Sequence, residues 1–163
     1  METSRKSTVD NRGSSRWVGY FVASASAIFF ITGLVKLISS FGRGRILNEF
    51  DPVFGFSYRT LFFSVGLIEL AVAAALLVST NPMIRLIMIA WLVSAFWIYR
   101  SAVHFLGDPK PCKCLGTLTQ TIHIPEKTAE NSMLFALCYL TCGVLGLLSR
   151  ETVFLAQGSE TTL

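Results

Sequence analysis

Four long apolar stretches, separated by polar connections, set the pattern of this chain. The first, over 17–38, would be roughly 33 Å long as a helix at about 1.5 Å per residue. That matches a hydrocarbon core about 30 Å thick. Trp17 and Tyr20 suit the aromatic belt at its start. Lys36 lies near its far end, where its stem can snorkel toward the interface. Ser24, Ser26 and Gly33 keep part of the surface small enough for close helix contact. The second stretch covers 59–79 with Glu69 near its middle. The third covers 83–105, with Trp91, Trp97 and Tyr99, and with Arg100 and His104 toward its end. The fourth, 133–149, is at the lower length limit for a crossing, and Asn131 or Ser132 is placed to cap it.

The connections differ in kind. Asn81-Pro82 is a tight turn, so stretches two and three must form an antiparallel hairpin. The connection over 39–59 holds Arg43, Arg45, Glu49, Asp51 and Arg59, but also Ile46, Leu47, Phe50, Val53, Phe54 and Phe56. That is too apolar for a plain solvent loop, and it reads as a segment lying on, or folding back into, the interface. Asp51-Pro52 is a local turn or helix start. The connection over 107–131 is polar, and Pro109, Pro111 and Pro125 argue against a long helix there. The flanks read as a disordered tail over 1–16 and a polar tail over 150–163. Small residues at Ala23, Ala25 and Ala27 resemble a signal-peptide cleavage region, but the apolar run continues past them, which favours an uncleaved first helix. The expected fold is all-α and integral to the membrane. It is a four-helix bundle over 17–149 with a re-entrant or interfacial segment between helices one and two.

Composition strengthens this picture. Residues are 52% hydrophobic and 15% charged, against about 25% charged in soluble domains, and mean hydropathy is +0.57. A net charge of +4 would suggest nucleic acid in a soluble protein. Here the basic residues flank apolar spans, where they meet anionic head groups, and no basic patch is interleaved with stacking aromatics. Nucleic acid is therefore excluded as a partner. Four spans place both termini on one face and both long connections on the other. Counting Lys and Arg does not orient the chain, since Arg5, Lys6, Arg12, Arg16, Arg85 and Arg150 oppose Lys36, Arg43, Arg45, Arg59, Arg100, Lys110, Lys113 and Lys127. The basic cluster ahead of the first span favours cytoplasmic termini.

Candidate chemistry centres on Cys112 and Cys114, one residue apart in the last connection. A disulfide between them closes a small strained ring, and strain raises the reduction potential. Lys110 and Lys113 favour the thiolate. Two thiolates are also soft ligands for Cu(I) or Zn(II), and a structural staple is a third reading. Cys138 and Cys142 are i,i+4 on the fourth helix, with Cβ atoms roughly 5–6 Å apart. That is too far for a good disulfide, which needs about 3.8 Å. They are either packing residues or a relay beneath the loop pair. Glu69 is costly at mid-membrane, by roughly 2.5–3.5 kcal/mol on insertion scales, so it must face the bundle interior. It is either a proton relay or substrate contact, or a packing hydrogen bond. Lys36 can pair with it only if the helices are offset. Arg100 and His104 read as interfacial anchors, and His123 alone in a loop is a weak signal. No nucleotide loop, HExxH sequence or serine elbow is present.

Gly33-x-x-Lys36-Leu37, Gly66-x-x-Glu69-Leu70 and Cys112-x-Cys114-Leu115-Gly116 together resemble the DoxX-like superfamily, and especially its MauE branch of methylamine-utilisation membrane proteins. The resemblance spans roughly 17–149 and implies a four-helix membrane bundle. It also implies a role in periplasmic disulfide formation or in maturing an electron-transfer partner. Cys112 and Cys114 would be the thiol pair, and Glu69 and Lys36 the polar positions inside the bundle. The architecture also looks like that of vitamin K epoxide reductase relatives and bacterial quinone-linked thiol oxidases, which carry Cys-x-x-Cys where this chain has Cys-x-Cys. The expected function is a membrane thiol–disulfide oxidoreductase or accessory factor. A quinone or partner protein would take the electrons, in a bacterial inner membrane with the cysteine loop periplasmic. The alternative is a non-catalytic subunit packed against partner helices.

Overall fold

A chain crossing hydrocarbon must satisfy its own backbone N–H and C=O groups, so each apolar stretch is committed to helix. The computed structural model contains α1 (Thr3–Ser40), a 3-10 turn (Arg45–Asn48), α2 (Tyr58–Val78), α3 (Pro82–Phe105) and α4 (Glu126–Glu160). The backbone is described over 3–42, 45–106 and 126–160, and side chains over 17–42, 47–106, 128 and 131–149. Four windows are long and apolar enough to cross a membrane: Trp17–Ser40, Tyr58–Val78, Pro82–Phe105 and Asn131–Ser149. Each lies within two residues of the stretch expected from the hydrophobic pattern. The protein is an all-α, multi-pass membrane protein. Helical backbone also runs through the flanks read from the sequence as tails, back to Thr3 and on to Glu160.

Local chemistry sets the helix ends. The Ser57 side chain accepts from the Thr60 amide at the start of α2, and Asn81 Oδ1 accepts from the Met83 amide at 3.0 Å to start α3. Pro82 occupies the first turn, where its missing N–H costs nothing. The expected cap at Asn131 or Ser132 is corrected, because α4 begins five residues earlier, at Glu126. Ser132 is inside the helix and its hydroxyl donates to the Thr128 carbonyl at 2.9 Å. The edge of the apolar run marks the lipid boundary, whereas the helix itself already runs from Glu126.

α1 and α2 form the most extensive helix pair, packed antiparallel along a glycine seam. A Cβ on Gly33 would sit 3.0 Å from both Glu69 Cβ and the Gly66 carbonyl oxygen. A Cβ on Gly66 would sit 2.9 Å from the Gly33 carbonyl and 3.2 Å from the Leu37 amide nitrogen. Each glycine thus faces the residue three or four beyond the other, and the backbones nearly touch. Small residues allow this approach where lipid offers no hydrophobic drive to associate. Farther along the seam Ser26 donates to the Ala73 carbonyl at 3.1 Å.

Toward the termini face, Phe21, Val22, Ala25, Phe29, Val72, Ala73, Leu76, Leu86, Ile89, Leu92 and Val93 fill the core. α4 joins through Leu140 and Val144 and through polar contacts. Ser24 and Tyr139 share a hydrogen bond at 2.9 Å, and Trp97 Nε1 donates to Thr141 Oγ1 at 3.0 Å.

The α1–α2 connection is folded. Leu47 is fully buried against Tyr58, Phe62 and Leu61, while Phe41, Phe50, Phe54 and Phe56 are exposed. Asp51 starts a turn that Gly55 closes, with φ at +68, a region open to glycine at little cost. The Gly55 amide donates to the Asp51 carbonyl at 2.9 Å, and the Asp51 amide to the Phe56 carbonyl at 2.8 Å. Asp51-Pro52 therefore makes a turn and starts no helix.

Gly66→Leu should lower stability in detergent by about 1–3 kcal/mol, the usual cost of overpacking a tight contact. Gly146→Leu should leave it unchanged, because nothing lies within 4 Å of a Cβ there. Thermal unfolding followed by tryptophan fluorescence separates the two.

Candidate functional site

Lys36 and Glu69 are each three residues beyond a seam glycine, and helix direction makes them converge. Side chains on a helix lean toward its N-terminus. Lys36, four residues from the end of α1, therefore leans away from the nearby connection face and into the bilayer. α2 runs the other way, so Glu69 leans toward the connection face and meets it. Lys36 Nζ donates to Glu69 Oε1, with the two side chains 5% and 0% exposed. This corrects the expectation that Lys36 snorkels outward, since the lean of the helix opposes that path and the carboxylate intercepts the ammonium. The offset that pairing requires is the glycine register itself.

The pair is completed from α3. The Lys36 ammonium lies over the Phe96 ring, 5.0 Å from its centroid, which adds a cation–π attraction strengthened by desolvation. Glu69 Oε2 is buried and has no hydrogen-bond partner among the described residues. Thr32, one turn below Lys36 on α1, lies beside the carboxylate. Its hydroxyl is bonded to its own helix, donating to the Ile28 carbonyl at 3.0 Å and the Phe29 carbonyl at 3.3 Å. An unpaired charge at this depth is costly, so each ion depends on the other.

A second buried acid lies one turn of α3 nearer the connection face. Asp51 Oδ1 accepts from the Val53 amide at 2.9 Å and the Phe54 amide at 3.0 Å. Its Oδ2 accepts from the Tyr99 hydroxyl at 2.5 Å. The Phe54 and Tyr99 rings stack with centroids 5.9 Å apart and planes 9° off parallel. Three donors around one carboxylate make its burial tolerable. α1 contributes Ser39 and Ser40, both buried, on the same side of the ion pair, and the Ser40 hydroxyl donates to the Leu37 carbonyl at 2.7 Å. Sequence reasoning recognised the Asp51 turn but missed its partner. The available signal was an acid in an apolar connection, which needs donors, but nothing in the sequence indicates that Tyr99 supplies one.

The other candidates lie apart from this cluster. Cys138 and Cys142 are free thiols on the exposed side of α4. His104 is exposed, with Phe105 set edge-on at 6.4 Å between centroids, and Arg100 is partly buried. Cys112, Cys114, Lys110, Lys113 and His123 fall outside the described residues.

Removing one member of the pair should cost more than removing both. Lys36→Met alone should destabilise the protein by about 3–5 kcal/mol, as when a buried partner is stranded. Lys36→Met combined with Glu69→Leu should recover most of that loss. Unfolding in detergent across the full double-mutant cycle measures it.

Searches of curated proteins and of solved structures found no match. The family described as Methylamine utilisation protein MauE matches residues 16–149. That stretch takes in every span, both long connections, the Lys36–Glu69 pair and Cys112-Lys113-Cys114. Covering most of the chain, the match shows that this membrane protein belongs to the MauE family of the DoxX-like superfamily.

Proposed function

We propose that this protein is a membrane thiol–disulfide oxidoreductase, or an accessory factor of that chemistry, serving disulfide formation or maturation of a periplasmic redox protein. The observation that carries the reading is MauE membership over a stretch that includes Cys112 and Cys114. Family membership itself points to a redox-associated role in the membrane; the thiol assignment is our own step beyond it.

In this reading Cys112 and Cys114 begin as a disulfide. A thiolate of the substrate attacks one sulfur, forming a mixed disulfide and releasing the other cysteine as a thiolate. The substrate's second thiolate then displaces the first cysteine, leaving the substrate oxidised and the pair reduced. Lys110 and Lys113 stabilise the leaving thiolate. Re-oxidation passes two electrons and two protons to a membrane acceptor, such as a quinone or a partner disulfide. The side chains of Lys36 and Glu69 are too enclosed to receive a quinone ring, so no ring site is assigned to them. Cys138 and Cys142 would act as the relay, and their exposure on α4 suits exchange with a lipid-soluble acceptor. The protein would sit in a bacterial inner membrane with cytoplasmic termini and a periplasmic cysteine loop. An oxidising compartment supports such chemistry.

A non-catalytic subunit is the second reading, favoured by Phe135 and Leu145, which stand exposed on α4 as a partner helix would require. Thiol alkylation with mass spectrometry on native membranes tests the proposal. Cys112 and Cys114 should be protected as a disulfide, and Cys112→Ser or Cys114→Ser should trap a mixed disulfide with a protein substrate. A pair that stays reduced and traps nothing contradicts the thiol reading. Stoichiometric retention in a larger assembly whose activity survives both substitutions favours the subunit.

A further inference from the structure

The buried polar side chains are distributed unevenly through the bundle. Asp51, Ser39, Ser40, Lys36 and Glu69 are all buried and lie between the connection face and mid-membrane. They form a column. Asp51 and Tyr99, with Ser39 and Ser40, are at its head, and the Lys36–Glu69 pair with Thr32 lies at its foot. Ser40, Lys36 and Thr32 are spaced i,i+4 on α1, one above the next by about 5.4 Å per turn. Phe96 and Tyr99 follow the same descent on α3, against Lys36 and Asp51 respectively. Below Thr32 the character changes. Phe29, Ala25, Val22, Val72, Ala73, Leu76, Leu86 and Ile89 form an apolar plug. Ser26 is the buried polar side chain there among the described residues, and it is occupied with the Ala73 carbonyl.

At the foot of the column one carboxylate oxygen, Glu69 Oε2, is buried with no hydrogen-bond partner among the described residues, the neighbouring Thr32 hydroxyl being turned to carbonyls of its own helix. A buried acceptor left unmatched is destabilising, and a proton on that oxygen lessens the cost by making the group a neutral acid. The ammonium then keeps its hydrogen bond to Oε1, which remains an acceptor in the neutral acid, together with the Phe96 face. Among the described residues the charged group acting on Glu69 is Lys36, from α1. α3 presents the uncharged Phe96 ring, and Asp51, in the connection, is committed to Tyr99 and two amides.

We infer that Glu69 is a one-sided proton-exchange site, taking up and releasing a proton at Oε2 by way of the connection face, and closed to the termini face. Uptake adds one proton to the carboxylate and leaves Lys36 charged, with no bond to any substrate and no electron transferred. It goes beyond the thiol reading and stands without it, because none of the residues involved is a cysteine.

Infrared difference spectroscopy on the full chain in oriented proteoliposomes tests the inference, with pH changed on one side at a time. A protonated-carboxyl C=O band should appear and vanish with pH on the connection side. It should ignore pH on the termini side. Glu69→Gln should abolish the band; should that variant fail to fold, Glu69→Asp should shift it. The band should persist in a Cys112→Ser, Cys114→Ser background, which keeps this outcome separate from the fate of the thiol proposal. A response from the termini side, from both sides or from neither overturns the inference. So does a band insensitive to both Glu69 substitutions, or one lost with the cysteines.

Discussion

A charge placed in hydrocarbon must be met by another charge, and much of this structure follows from how Lys36 and Glu69 meet. Their ion pair requires two antiparallel helices in one register, at a spacing set by Gly33 and Gly66. The glycines admit close backbone approach, and the pair penalises any slip along the seam, because a shift strands both ions. Small residues give proximity, and the ions give register. Buried ionic groups are weak sources of net stability, so we read this pair as a specifier of register.

The second buried acid meets the same constraint differently. Asp51 is held by two amides of its own turn and by the Tyr99 hydroxyl. That arrangement fastens the α1–α2 connection to α3, six residues before the end of that helix. The cap and the ion pair are therefore joined through neighbouring turns of α3, at Tyr99 and Phe96. α4 is attached by lighter means, including the Ser24–Tyr139 and Trp97–Thr141 hydrogen bonds. Its outer face, with Cys138 and Cys142, is left to lipid or to partners.

Much of the fold was legible in the hydrophobic pattern, because a bilayer imposes length on every span and helix on every backbone. Glu69 was legible as an inward-facing group for the same reason. The behaviour of Lys36 was not. Its distance from the end of the apolar run suggests an outward path, and only the lean of side chains on antiparallel helices turns it inward. The Asp51–Tyr99 contact joins positions 48 residues apart, and no local periodicity encodes such a pairing. The start of α4 was misplaced because hydropathy locates lipid, whereas the helix extends through polar residues from Glu126. Cys112 and Cys114 were the most conspicuous chemical signal, yet the buried machinery described here is built from acids, a lysine and hydroxyls. That is why the proton reading rests on the bundle alone.

The most direct test of the central claim is a distance measurement in a bilayer. Solid-state NMR on the chain, with isotopic labels in lysine and glutamate, reads dipolar coupling between the Lys36 ammonium nitrogen and the Glu69 carboxyl carbon. The structure predicts a strong coupling that survives in lipid and disappears in Glu69→Gln. An uncoupled Lys36 nitrogen, exchanging with water at the membrane surface, would contradict the account.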